Sequence, residues 1–126
     1  MTYRFHHLHL ICKDLENMIG FFTDALGAKL AERKQFGGAS GAVLDLNGID
    51  ISLRVEKKDE VITGDASQTC YGYDHIGLAV EDLEKAMQEL AAKGVEFPSE
   101  PVDLGDRLTV FFKGPEKITI ELLEMK

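Results

Sequence analysis

The sequence predicts an α+β fold made of two βαβββ modules, and three observations carry that reading. The first is an internal repeat. His7-Leu8-His9-Leu10-Ile11-Cys12-Lys13-Asp14-Leu15-Glu16 lines up with His75-Ile76-Gly77-Leu78-Ala79-Val80-Glu81-Asp82-Leu83-Glu84, 68 residues further along a chain of 126. The second is a change of period at an aspartate in each copy. Alternating apolar residues give way after Asp14 to Leu15, Met18, Ile19, Phe22 and Leu26, and after Asp82 to Leu83, Ala86, Met87, Leu90 and Ala91, which is helical spacing. The third is a glycine where each helix has to stop, Gly27 and Gly94, with Lys93 in the last turn of the second, where a cation complements the helix dipole.

After Gly27 the first module continues with extended segments at Ala28 to Phe36, Gly41 to Leu46 and Ile49 to Glu56. Asn47-Gly48 joins the last two, the dipeptide that a tight hairpin turn selects. The second module repeats this more tersely. Val95-Glu96-Phe97 leads to Pro98 and Pro101, and Leu108 to Lys113 and Ile118 to Leu123 read as the final two strands around Gly114-Pro115. The polar stretch between the halves, with Lys57-Lys58-Asp59-Glu60 and Gly64-Asp65-Ala66-Ser67, suits a linker or mobile flap. The expected organisation is one domain over 1–126, with module one at 1–58, the linker at 59–72 and module two at 73–126.

Composition narrows the function. Hydrophobic residues at 44% and charged residues at 29% are ordinary globular usage, which excludes disorder and coiled coil. A formal charge of −8 repels a phosphate backbone, so nucleic acid is not an expected partner. No apolar run approaches the roughly 20 residues of a spanning helix, and the N-terminus carries no signal-peptide core; no membrane partner and a cytoplasmic location are expected. Cys12 and Cys70 stand far apart with no CxxC pattern, so neither a disulfide framework nor a zinc ribbon is encoded.

Strand alternation decides which side chains share a face. In the first strand His7, His9 and Ile11 lie opposite Leu8, Leu10 and Cys12; in the second copy His75, Gly77 and Ala79 lie opposite Ile76, Leu78 and Val80. The last strand places Glu121 among apolar neighbours, where a carboxylate needs a partner. Two imidazoles and a carboxylate from three strands are the donors of a divalent cation that keeps positions open for substrate. On spacing alone they are equally readable as hydrogen-bonded strand histidines and an edge-strand charge.

At these residues the sequence resembles the vicinal oxygen chelate superfamily, which includes glyoxalase I, methylmalonyl-CoA epimerase, extradiol dioxygenases, and fosfomycin- and bleomycin-resistance proteins. The carriers are His7 ahead of Asp14-Leu15-Glu16, Phe21-Phe22 and Leu26-Gly27, the run His75 to Leu83, and Phe111-Phe112-Lys113-Gly114-Pro115 leading to Ile120-Glu121-Leu122. The resemblance implies paired modules forming a cupped mixed sheet, with His7, His75 and Glu121 as ligands of a divalent metal (Ni, Co, Zn, Mn or Fe(II)). Aligning Ile49-Asp50-Ile51-Ser52-Leu53 with Ile118-Thr119-Ile120-Glu121-Leu122 puts Ser52 where glyoxalase I and the epimerase supply a fourth ligand. A serine hydroxyl is a poor ligand for such an ion, so water or substrate would take that place. Gly114-Pro115-Glu116-Lys117 departs from the family's Asp-Pro-Asp-Gly at a turn.

The resemblance implies a metal-dependent glyoxalase-type isomerase, lyase or epimerase that chelates adjacent oxygens of a small substrate and stabilises an enediolate, with Glu121 or His9 moving the proton. Ser52 and Arg54 are candidate substrate contacts, Arg54 for an anionic group. Alternatives are an extradiol-type dioxygenase, a fosfomycin-type thiol transferase and a non-enzymatic binding or resistance protein. A homodimer is expected, because two-module chains of this family usually pair and an exposed sheet edge needs covering.

Overall fold

The computed structural model describes residues 1–126, and the chain forms two compact units, Met1–Thr63 and Gly64–Lys126. In the first unit the elements run β1 (His7–Ile11), α1 (Leu15–Gly20), a wider π-helical turn (Phe21–Ala25), β2 (Lys29–Phe36), β3 (Ala39–Leu46) and β4 (Ile49–Arg54). In the second they run β5 (Ile76–Ala79), α2 (Leu83–Ala92), β6 (Val102–Asp103), β7 (Arg107–Lys113), a short 3-10 turn (Pro115–Lys117) and β8 (Thr119–Met125). The two sheets share one topology: β1-β4-β3-β2 and β5-β8-β7-β6, with the first strand of each unit parallel to the last and the remaining pairs antiparallel. This is the α+β pair of βαβββ modules that the repeat predicts.

The elements begin and end for the expected reasons. Asp14 and Asp82, both extended, accept from the backbone N–H of Asn17 and Lys85 at 3.0 Å and so cap their helices. Gly27 and Gly94 follow the helices at φ 77° and 93°, in the left-handed region. Asn47 and Gly48 sit at φ 50° and 94°, the two positive values a tight hairpin turn requires. Two details differ from the sequence reading. The first helix widens at Phe21–Ala25, where the Thr23 hydroxyl bonds back to the Ile19 carbonyl at 2.8 Å. In module two Val95–Phe97 is not a strand; the strand before β7 is Val102–Asp103, beyond Pro101, because the ladder needs N–H donors that Pro98 and Pro101 lack.

Each helix lies on one face of its sheet. Met18, Ile19 and Phe22 bury against Ala42, Leu44, Ile51 and Leu53 in unit one; Leu83 and Leu90 are buried with Val110, Phe112, Ile120 and Leu122 in unit two. That packing assigns the other face of each sheet to His7, His9, Ser52 and Arg54 in unit one and to Gly77 and Glu121 in unit two. No helix is long and apolar enough to cross a membrane.

Candidate functional site

Strand register makes the two faces comparable residue by residue. β1 pairs with β4 so that His7 lies opposite Asp50 and His9 opposite Ser52; β5 pairs with β8 so that Gly77 lies opposite Glu121. His9 and Gly77 are equivalent in the repeat, so Ser52 and Glu121 are equivalent too. The two modules thus carry the same cross-strand pair with the sizes exchanged: large opposite small in module one, small opposite large in module two. A Cβ at Gly77 would stand 3.6 Å from Glu121 Oε1, in ordinary van der Waals contact, so the carboxylate lies directly beside β5.

That carboxylate reaches His75, whose Nε2 lies 2.9 Å from Glu121 Oε1. Both partners are also held from outside. Thr109 on β7, itself buried, donates its hydroxyl to Glu121 Oε2 at 2.6 Å, and Asp74 takes His75 Nδ1 at 2.7 Å. The hydrogen bond to Asp74 is the main cause that raises the His75 pKa above its ordinary value; partial burial opposes it, and Glu121 adds to the rise. Phe111 stacks edge-on to the imidazole at 5.2 Å between ring centroids and limits its rotation. The carboxylate for which the sequence demanded a partner therefore has two. Sequence reasoning missed Asp74 and Thr109; the Asp-His dipeptide was a visible signal for the first, whereas the second needs the β7–β8 register.

In module one His7 and His9 share a face, with ring centroids 6.2 Å apart. His7 is exposed, and its Nδ1 meets His6 Nδ1 at 2.9 Å, which leaves Nε2 for another partner. His9 packs edge-on against Phe36 at 4.6 Å. That ring lies over Gly41, where a Cβ would run into the Leu53 carbonyl oxygen of the neighbouring strand and come within 2.6 Å of the ring, so only glycine fits there. Partial burial first, then the charges of Arg54, His7 and Lys57, hold the His9 pKa below its ordinary value and favour the neutral ring. Ser52 is buried opposite it. Arg54 is already engaged: its guanidinium takes both carboxylate oxygens of Glu60 at 2.7 and 2.9 Å. No three His, Cys, Asp or Glu side chains of the chain are gathered into a metal cluster.

The donor chemistry of module two suits a divalent ion. A metal-binding histidine typically presents one nitrogen to the ion and gives the other N–H to a carboxylate, and a ligating carboxylate is itself hydrogen-bonded. Asp74-His75 and Thr109-Glu121 have that arrangement, with His75 Nε2 and Glu121 Oε1 converging.

Comparison with known proteins identifies the family and the fold. The family model described as Glyoxalase/Bleomycin resistance protein/Dioxygenase superfamily matches residues 4–122. The chain is 30% identical to the uncharacterized protein YwkD of Bacillus subtilis, over 94% of each chain. It is 29% identical to the metallothiol transferase FosB of Lysinibacillus sphaericus, over 88% of this chain and 74% of that one. A probable chloroplastic lactoylglutathione lyase of Arabidopsis thaliana is 28% identical over 93% of this chain, which spans only 35% of the lyase's length. Among solved structures, a glyoxalase family protein from Bacillus cereus superposes with a TM-score of 0.82 at 22% identity, over 99% of this chain and 95% of that one.

Proposed function

The chain belongs to the Glyoxalase/Bleomycin resistance protein/Dioxygenase superfamily, and on that footing we propose that it is a divalent-metal-dependent enzyme of glyoxalase type. The reaction is an isomerisation, lyase step or epimerisation of a small substrate with two adjacent oxygens, one of which flanks an acidic C–H. The observation that carries this is the His75–Glu121 pair, oriented from outside by Asp74 and Thr109. The similarity to a metallothiol transferase and to a lactoylglutathione lyase supports it.

His75, Glu121 and, from module one, His7 are the proposed ligands. The ion, when bound, supplies Lewis-acid polarisation of the substrate oxygens. The remaining chemistry belongs to side chains. Glu121, whose Oε2 is tied to Thr109, has one oxygen for the metal or a proton. His9, its pKa lowered by partial burial and then by Arg54, His7 and Lys57, is the second base of the proposed site. Ser52 supplies a hydroxyl where a carboxylate would otherwise stand, so module one offers a hydrogen bond in place of a fourth ligand. A homodimer is the proposed assembly, each sheet having two edge strands.

Elemental analysis of the purified protein beside a His75→Ala variant tests the reading. Near-stoichiometric metal in the first and its loss in the second are expected, and the identity of the ion separates proton-transfer chemistry from oxygen chemistry. No metal in either, after reloading with Ni, Co, Zn, Mn and Fe(II), would sink the enzyme and leave a ligand-binding module.

A further inference from the structure

Module one carries a small basic cluster in a chain whose net charge is −8. Lys34 lies over the Phe36 ring at 5.2 Å, Phe36 packs on His9, and the Lys57 side chain passes beside Gly37, its Cε 3.0 Å from where a Cβ would stand. Arg54 shares the sheet face of Ser52 and His9, and its side chain is only 11% exposed. A mostly buried guanidinium needs an anion, and here the anion is intramolecular: the Glu60 carboxylate meets Nη1 and Nη2 in fork-to-fork geometry.

The segment that delivers Glu60 is slight. It is a turn closed by the Glu60 N–H on the Lys57 carbonyl at 3.1 Å, with Asp59 at φ 63°, a left-handed value that a non-glycine residue adopts at some cost. The carboxylate also takes the Lys57 N–H at 3.0 Å, so the turn is held largely by the group it presents. Residues 55–75 contain no helix or strand. A strand-borne cation is thus matched with a carboxylate on a turn that gives up few contacts when it leaves.

We propose that Arg54, with Lys57, is the receptor for a carboxylate on the substrate, and that Glu60 fills it in the ligand-free chain as a tethered competitor. The inference rests on the reading of this face as the substrate side of the site, and it adds a substrate class: small oxygenated acids bearing a carboxylate remote from the reacting oxygens. Binding exchanges one carboxylate for another on the same guanidinium, so no charge is left unpaired on Arg54, and the freed turn is able to move. A carboxylate tethered six residues away acts as a local competitor at an effective concentration of order millimolar, so an external carboxylate binds more weakly than Arg54 alone would allow.

The probe is malonate, with neutral malonamide as control, titrated calorimetrically into metal-stripped, dialysed full-length protein. Glu60→Gln is expected to bind malonate about tenfold more tightly than the unaltered chain, malonamide not to bind, and Arg54→Gln added to Glu60→Gln to abolish the gain. No gain in Glu60→Gln, or a gain that survives loss of Arg54, would overturn the proposal and make the ion pair a loop staple only. Should the double variant not fold, the Arg54 Nε–H resonance of Glu60→Gln decides: saturable movement with malonate upholds the receptor, and an unmoved signal overturns it. The parent reading is scored apart, on metal content: His75→Ala that keeps both its metal and its malonate binding would defeat the metal assignment and leave the carboxylate receptor standing.

Discussion

The hydroxyl of Thr109 is a single atom on which much of module two's site depends. It is buried and donates to Glu121 Oε2 at 2.6 Å, so Thr109→Val keeps the shape of the side chain while removing one of the carboxylate's two partners. The expected cost is about 1–2 kcal/mol of stability, read from urea denaturation, together with a loss of roughly 10- to 100-fold in metal affinity, read by competition with a chelating dye. Unchanged affinity would mean that the hydroxyl does not orient the carboxylate. Glu60 gives a prediction of opposite origin. The hydrogen bonds from Arg54, then the Lys57 N–H, hold its carboxyl down to about 2 from 4.5. A carboxyl depressed on folding stabilises the fold above its unfolded pKa, and that stabilisation fades as the pH falls toward the folded value. The urea midpoint of the unaltered protein should therefore exceed that of Glu60→Gln at neutral pH, and the gap should close between pH 4.5 and about 2. A gap constant across that window would show that Glu60's charge does not stabilise the turn.

At the scale of elements, the turn before β8 shows a local preference overridden by its context. Glu116 and Lys117 both hold positive φ, 54° and 66°, in the left-handed region that favours glycine. Lys117→Gly removes a left-handed cost of about 1 kcal/mol and loses only an exposed 3.3 Å pair with Asp65, so it should raise the melting temperature by a few degrees. A lower melting temperature would mean that the Asp65 pair is worth more than the relief of strain. The same elements show how far the sequence was legible. The repeat, the capping aspartates and Asn47-Gly48 are local signals, and each produced its element because helix caps and tight turns are satisfied within a few residues. The alignment of Ser52 with Glu121 is a register statement, and the β1–β4 and β5–β8 pairings reproduce it. Arg54 was legible as a cation on the right face, but its partner was not, because nothing in Lys57-Lys58-Asp59-Glu60 says which acid folds back. The widened turn at Phe21–Ala25 and the displaced strand Val102–Asp103 escaped because hydrophobic period does not report hydrogen-bond slippage.

Over the whole chain, the two units meet in sequence at Thr63 and Gly64, within a stretch lacking regular structure where Val61 and Tyr71 stand fully or nearly fully in solvent. Brief trypsin treatment should therefore cut first after Lys57 or Lys58 and yield two fragments of near-equal mass, resolved by mass spectrometry. First cuts within β2, at Lys29, Arg33 or Lys34, would contradict that order of stability. The exchanged pairs, His9 with Ser52 and Gly77 with Glu121, have a consequence for how such a chain arises. A duplicated half begins with every functional position in two copies, and redundancy shields either copy from selection as long as the other still serves. One copy here carries an acid beside its histidine, while the other carries a hydroxyl and a second imidazole. Descent from a common half is thus written in the matching register, and division of labour in the mismatched side chains.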